Sequence, residues 1–263
     1  MADPILLRTD AAGVATLTLN APASLNALSD AMLAALTAEF DRLSEDRSVR
    51  VVILRGTGKA FCAGHDLKEM QAARAAPDKG AGYFADLFAR CAALMLKIPA
   101  LPQPVIAEVH GIATAAGCQL VASCDMAVAA TGTRFGVNGV NIGLFCSTPM
   151  VALSRNVPAK VAFEMLGTGM FIDADRAREV GLVNRVVPAE ALAAETRALA
   201  ETLAAKLTAA VRIGKRTFYD QIGLPPAEAY ALAGAAMVEN MLWRDTDEGI
   251  AAFLEKRPPD WQA

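Results

Sequence analysis

Histidine is nearly absent from this chain: His65 and His110 are the only two in 263 residues. The five cysteines form no C-x-x-C pair. Cys62 and His65 have C-x-x-H spacing, but without a second pair they make too small a ligand set for zinc, so no metal site is expected. The odd cysteine count predicts reduced, mostly buried thiols. No block of basic residues occurs and the net charge is -3, which argues against nucleic acid as a partner. One long run, residues 135–154, escapes interruption by charged residues, and Asn138, Asn141 and Pro149 break it, so no membrane partner is expected. The first residues, MADPILLRTDAAG, show no basic stretch followed by an apolar core, and a cytosolic (cytoplasmic) protein is the expectation.

Several nucleotide and hydrolase signatures are missing too. GTGK at 56–59 resembles part of a phosphate loop, but such a loop needs Gly at 53 and Ser or Thr at 60, where Ile53 and Ala60 stand. No strand leads into G-x-G-x-x-G, and no G-x-S-x-G is present. A thiol hydrolase pairing Cys146 with His65 or His110 stays open at this level.

What is present is length and a repeated pattern. A chain of this size buries roughly 70% or more of the surface of its unfolded state, as one large domain or slightly more. Period-two apolar runs at 5–8 and 14–19 predict a hairpin. Ser29 then caps a helix to about Arg47, with Met32, Leu33, Leu36, Phe40 and Leu43 at helical spacing. Two units follow in which a short apolar strand, 51–54 or 105–109, delivers a small-residue loop, FCAGHD or ATAAGC, to the next helix. A helix is predicted between them over 83–96, with PQP breaking the chain after it. A strand at 126–130, helices at 147–155 and 158–166, a strand at 183–187 and almost continuous helix after Pro188 complete the reading. The organisation is therefore an α/β core over 1–195 and a C-terminal helical region over 196–263. The Ala- and Met-rich faces around Met237 and Met241 suggest burial against another copy or against this chain.

The free backbone N–H groups of the two loops can converge on one oxygen atom, where they and a helix N-terminus would stabilise an oxyanion or enolate without a charged side chain. Close packing of strand on helix explains the same small residues equally well. FCAGHDLKEM at 61–70 and GIATAAGCQLVASCD at 111–125 resemble the paired oxyanion-hole segments of the crotonase, or enoyl-CoA hydratase/isomerase, superfamily. SLNAL at 24–28, VVILRGTGKAFCAG at 51–64, PVIAEVHG at 104–111, FIDADRAREVGLVNRVV at 171–187 and GIAAFLEKRPPDW near the end agree with it in order and spacing.

The resemblance implies an α/β fold, a crotonase-type spiral of ββα units with a C-terminal helical oligomerisation region. It implies a homotrimer or a dimer of trimers, and a place among the lyases and isomerases of fatty acid metabolism. It places the oxyanion-hole N–H groups at His65 and Ala116, facing the thioester carbonyl of an acyl-CoA. Coenzyme A then enters as part of the substrate, with no separate cofactor. Its contacts fall at Ser24, Leu25, Asn26, Ala27 and Leu28, and at Ala63, Asp66, Leu67 and Lys68. His65 stands where many relatives have Ala, so its backbone is the functional part.

Hydration of an enoyl thioester needs a base for water and an acid for the α-carbon. The resemblance aligns the family's two glutamates with Gln119 and Gly139, and no Asp or Glu occurs anywhere between Asp125 and Glu164. A glutamine binds water but exchanges no proton at neutral pH. AAGCQLVASCD and GLFCSTP resemble a subgroup of hydratase-domain proteins that lacks the acid pair. The expectation is an acyl-CoA enzyme weak in ordinary hydration, with decarboxylation or thioester cleavage fitting the site better. A non-catalytic acyl-CoA-binding oligomer is the alternative. Glu108, on the strand before the second loop, reaches either the pocket or a sheet-edge or subunit contact.

Overall fold

The computed structural model describes residues 3–261; the extreme ends of the 1–195 and 196–263 ranges, residues 1–2 and 262–263, lie outside them. The hairpin comes first: β1 (Leu6–Ala11) pairs antiparallel with β2 (Val14–Leu19) through a turn at Ala12 and Gly13, both at positive φ. Ser29 accepts the Met32 N–H at 3.2 Å and starts α1 (Asp30–Glu45), whose apolar face of Met32, Leu33, Leu36, Phe40 and Leu43 is wholly buried. β3 (Val51–Gly56), β4 (Val105–Val109), β6 (Met126–Ala130) and β9 (Arg185–Val187) then add in parallel, giving a six-stranded sheet in the order β1-β2-β3-β4-β6-β9. Fully buried parallel strands carry continuous apolar runs, which is how VVIL and VIAEV read.

The face of this sheet that carries Val52, Leu54, Ala107 and Val109 packs on α1, α3 (Ala81–Ala100) and α4 (Ala116–Ser123) in the main core. The opposite face, with Ile53, Ile106 and Val128, is covered by α8 (Leu192–Ala204) through Leu192, Ala200 and Ala204. A second sheet of β5 (Ile112–Thr114), β7 (Arg134–Gly136) and β8 (Ile172–Asp173) stands beside the first, so each ββα unit turns from one sheet to the other. β5 and β7 are only three residues long and lie where the sequence reads as small-residue loop.

α2 (Leu67–Ala73) follows the first loop, and α5 (Pro149–Asn156), α6 (Ala159–Thr168) and α7 (Ala174–Glu179) close the spiral. α3 runs four residues beyond its predicted end because Pro99 falls in its last turn, where only one internal hydrogen bond is lost. The helical region continues with α9 (Thr208–Gln221), α10 (Pro226–Met241) and α11 (Arg244–Glu255). Its anchor is Asp125, which accepts Lys215 Nζ at 2.7 Å, Tyr219 OH at 2.8 Å and the Val105 N–H at 2.6 Å. This ties α9 to the N-terminal ends of β4 and β6.

Candidate active site

The two small-residue loops are hydrogen-bonded to each other. Phe61 N–H donates to His110 O (3.1 Å), Cys62 N–H to Ile112 O (3.2 Å), and Thr114 N–H to Cys62 O (3.0 Å). Two glycines permit the approach. A Cβ on Gly117 would lie 2.2 Å from Cys62 O, and one on Gly64 would lie 2.9 Å from Ala115 Cβ and 3.3 Å from Ala116 N. Gly64 also takes φ +88°, so a side chain there is excluded by conformation as well as by space.

This packing leaves two N–H groups unspent. Leu28 N–H donates to Gly64 O at 2.8 Å, which turns the next amide, that of His65, to the other side of the segment. Ala116 is the first residue of α4, where an amide has no intrahelical acceptor. Among the described residues, neither the His65 nor the Ala116 N–H donates to any acceptor. Ala115, between the loop and the helix, is held at φ 50°, ψ -120°, an arrangement that costs about 1–3 kcal/mol for a non-glycine residue. Ala115 N–H to Gly136 O (2.9 Å) and Thr114 Oγ1 to Asn138 Oδ1 (2.6 Å) hold it there. Thr114, Asn138 and the strained alanine escape sequence reading, because nothing in ATAAG distinguishes a strained turn from a relaxed one.

Gln119, one turn into α4, is 4% exposed and its Oε1 has no hydrogen-bond partner. A buried unpaired acceptor costs about 1–3 kcal/mol, which a ligand or water donor would recover. Gly139 is buried, and a Cβ there would fall 2.2 Å from Leu144 O and 2.9 Å from Cys146 Sγ. No side chain fits this backbone at 139, let alone a glutamate.

The His65 ring is buried against Phe88, centroid to centroid 5.8 Å, and neither ring nitrogen has a partner. Burial first, and then nearby Arg90, hold its pKa below the usual value, while the Leu28 backbone and Asp30 oppose this. The ring is therefore neutral at pH 7. His110 Nε2 donates to Gly58 O at 3.0 Å. Glu108 shares its sheet face with Ile106, on the α8 side, away from the main core that contains Cys62 and Ala116. Its partner is Arg55 at 3.8 Å, and burial raises its pKa against the pull of Arg55 and His110. Glu108 supplies no acid to the loops. All five cysteines are buried free thiols. Burial pushes Cys62 and Cys118 up to about 12 and also raises Cys146, so no thiol is poised as a nucleophile.

The residues of SLNAL adjoin the first loop. Ala63 N–H donates to Leu25 O at 3.0 Å, and Leu25 and Asn26 are both left-handed, φ 53° and 54°. Asn26 is fully buried and its amide is spent: Oδ1 accepts Ala21 N–H, and Nδ2 donates to Thr57 O and Ala60 O. Ser24 Oγ donates to Ala21 O. Asp66 caps α2 by accepting the Lys68 N–H at 2.8 Å. Leu25, Leu67 and Lys68 remain exposed beside them.

A ββα spiral of this kind is the architecture of the crotonases. The enoyl-CoA hydratase/isomerase family profile matches residues 9–263, and the chain belongs to that family. It is 46% identical over 249 residues to mouse (Mus musculus) enoyl-CoA hydratase domain-containing protein 3, mitochondrial, covering 95% of this chain and 81% of that one. Among solved structures, an enoyl-CoA hydratase from Mycobacterium smegmatis is 58% identical with a TM-score of 0.95, covering 99% of this chain and 100% of the other. Human enoyl-CoA hydratase domain-containing protein 3 is 44% identical with a TM-score of 0.93, over 98% and 100%. The mouse relative, and those from Homo sapiens and Xenopus laevis, are named mitochondrial. These names overturn the cytosolic expectation, which rested only on the lack of a recognisable leader.

Proposed function

We propose that this chain acts on acyl-CoA thioesters, its His65 and Ala116 N–H groups together holding the thioester oxygen as negative charge develops on it. The observation that carries this reading is the pair of unspent amides on loops locked together through Gly64 and Gly117. Two such donors act where water is excluded and need no reorganisation during the reaction. Coenzyme A enters as part of the substrate, along Ser24 and Leu25 and beside Ala63, Asp66, Leu67 and Lys68, while Asn26, Ala27 and Leu28 are buried and act by holding the loop.

The reaction is set by what the site lacks. Gln119 positions a water or a substrate group without exchanging protons, and Gly139 has no side chain. Losing one acid-base group costs about 10² to 10⁴ in rate, so ordinary hydration is weak. Decarboxylation asks least of the protein. The Cα–carboxylate bond breaks, carbon dioxide leaves, the electron pair stays on the enolate held by the two amides, and solvent returns a proton to Cα. Thioester cleavage, with water attacking the same polarised carbonyl, is the other reaction that fits. The chain works as a homotrimer or a dimer of trimers, a state supported by α10, which has no buried residue and exposes Tyr230, Met237, Val238 and Met241, with Leu242 exposed just after it.

Purified protein presented with crotonyl-CoA, a malonyl-type thioester and a 3-hydroxyacyl-CoA, scored for binding and product, tests the proposal. Turnover of the malonyl-type thioester with little hydration of crotonyl-CoA is expected. Robust crotonyl-CoA hydration unchanged in Gln119→Ala overturns the reading of the site. Binding of every thioester with turnover of none replaces the enzyme by an acyl-CoA-binding oligomer.

A further inference from the structure

A cavity of about 700 Å³ lies between the C-terminal end of α3, α9 and the end of α10. It is separate from the loops described above. The His65 ring meets α3 at Phe88, whereas the cavity is walled by Leu96 and Pro99. The eleven residues from Phe88 to Pro99 amount to about 16 Å along the helix axis.

Its walls are apolar, formed by Leu96, Pro99, Ile213 and Trp243 among others. One side is rigid: the ring of Tyr219 lines it, and its hydroxyl is fixed at 2.8 Å on Asp125, which is itself paired with Lys215. The size suits a small organic ligand.

Two cations, Arg212 and Arg216, and two acids, Asp220 and Glu239, line the cavity, and only one ion pair forms among them. Arg216 faces Glu239 at 3.7 Å. Arg212 has no carboxylate within ion-pair distance among the described residues, its Nε is buried without an acceptor, and Nη2 reaches only Val49 O at 3.5 Å. Arg47 and Arg50 lie close enough to lower its pKa, after burial itself, so cation stands beside cation where acid would be expected. The Nε is closed off from solvent, so Arg212 meets the cavity through the rest of its guanidinium, for which a carboxylate is the matching anion. Asp220 also lines the cavity, and its charge disfavours a dianion.

We infer that this cavity is a second ligand site, one that takes an amphipathic monocarboxylate with its carboxylate on Arg212 and its apolar body against Leu96, Pro99, Ile213 and Trp243. A fatty carboxylate of medium length has this chemistry. The inference does not depend on which thioester reaction the chain performs.

Trp243 is a natural reporter, and Trp261→Phe leaves it as the single tryptophan. Full-length protein in that background is titrated with decanoate, 1-decanol and decyl phosphate, following Trp243 fluorescence and calorimetric stoichiometry. Saturable binding of one decanoate per chain is expected, tenfold or more tighter than decanol and tighter than decyl phosphate. Arg212→Gln is expected to weaken decanoate tenfold or more with decanol unchanged. Ala209→Phe, which fills the cavity, is expected to abolish both. Should Arg212→Gln fail to fold, Arg212→Lys, which keeps the charge but loses the planar guanidinium, carries the same expected weakening of decanoate. Equal affinity for decanoate and decanol, tighter binding of decyl phosphate than of decanoate, or decanoate binding unaffected at Arg212 or in Ala209→Phe, overturns the inference. So does the absence of saturable binding, including the case in which a second copy of the chain fills the cavity.

Discussion

The Cα of Gly117 sits so close to the carbonyl of Cys62 that an added Cβ would be 2.2 Å from its oxygen. The first turn of α4 and the segment after β3 are thereby fixed against each other, and both candidate amides lie at that junction. Gly117→Ala must push backbone from backbone. It is expected to lower stability by about 3 kcal/mol or more and to abolish thioester binding and turnover. Thermal unfolding and binding of an acyl-CoA measure the two effects. A variant of normal stability and affinity contradicts the close approach.

Gln119 carries a buried acceptor without a partner. Gln119→Met removes it at similar volume and is expected to raise stability by about 1 kcal/mol, or roughly 2–4 °C in Tm. Gln119→Glu places a carboxyl in the same environment, where desolvation raises its pKa. The folded state then holds its proton more tightly than the unfolded one, so stability is lost as pH rises above about 4.3 toward the raised value. Adding Glu at 139 destroys packing against Leu144 O. Neither variant, nor the pair, is expected to give a strong hydratase in a crotonyl-CoA assay.

His65 bears on pH dependence. Its folded pKa is depressed, chiefly by burial. Between that value and the unfolded value of about 6.5 the unfolded chain binds more protons, so stability falls as pH drops below about 6.5 and is level above it. His65→Ala keeps the backbone N–H and removes this slope. Denaturant unfolding of both proteins from pH 8 to pH 5 is expected to show the difference only below about 6.5.

Lys215 is a buried cation whose carboxylate, Asp125, also holds Tyr219 and Val105. Lys215→Ala leaves Asp125 short of its counter-ion and is expected to cost about 3–5 kcal/mol. Asp125→Asn in addition should recover part of that loss, because the uncompensated charge is gone. Chemical denaturation of the single and double variants measures the coupling.

Much of the architecture was legible from residue pattern. Ser29 and the 3.6-residue spacing after it gave α1, and VVIL and VIAEV gave central strands, because caps and burial on both faces are local or periodic signals. β5 and β7 were not legible: a three-residue strand carries too little pattern to separate it from a loop. The end of α3 was misjudged because a proline in a final helical turn is tolerated. At the site, FCAGHD and ATAAGC marked themselves by size, and the absence of acids between Asp125 and Glu164 was plain from composition. The side on which Glu108 falls needed the pairing of β4 with its neighbours, and so did the role of Asn26, whose amide is consumed within its own loop.

By itself the sequence determined the α/β core, the small-residue loops and the lack of a titratable partner, since these follow from which side chains exist and how they are spaced. Only the tertiary structure decided that Gly64 and Gly117 are contact points, that Gly139 has no room for a side chain and that Arg212 lines a cavity while pairing with no carboxylate among the described residues. Those properties depend on distances between segments far apart in the chain, and such distances are set when the whole core packs, not by any local run of residues.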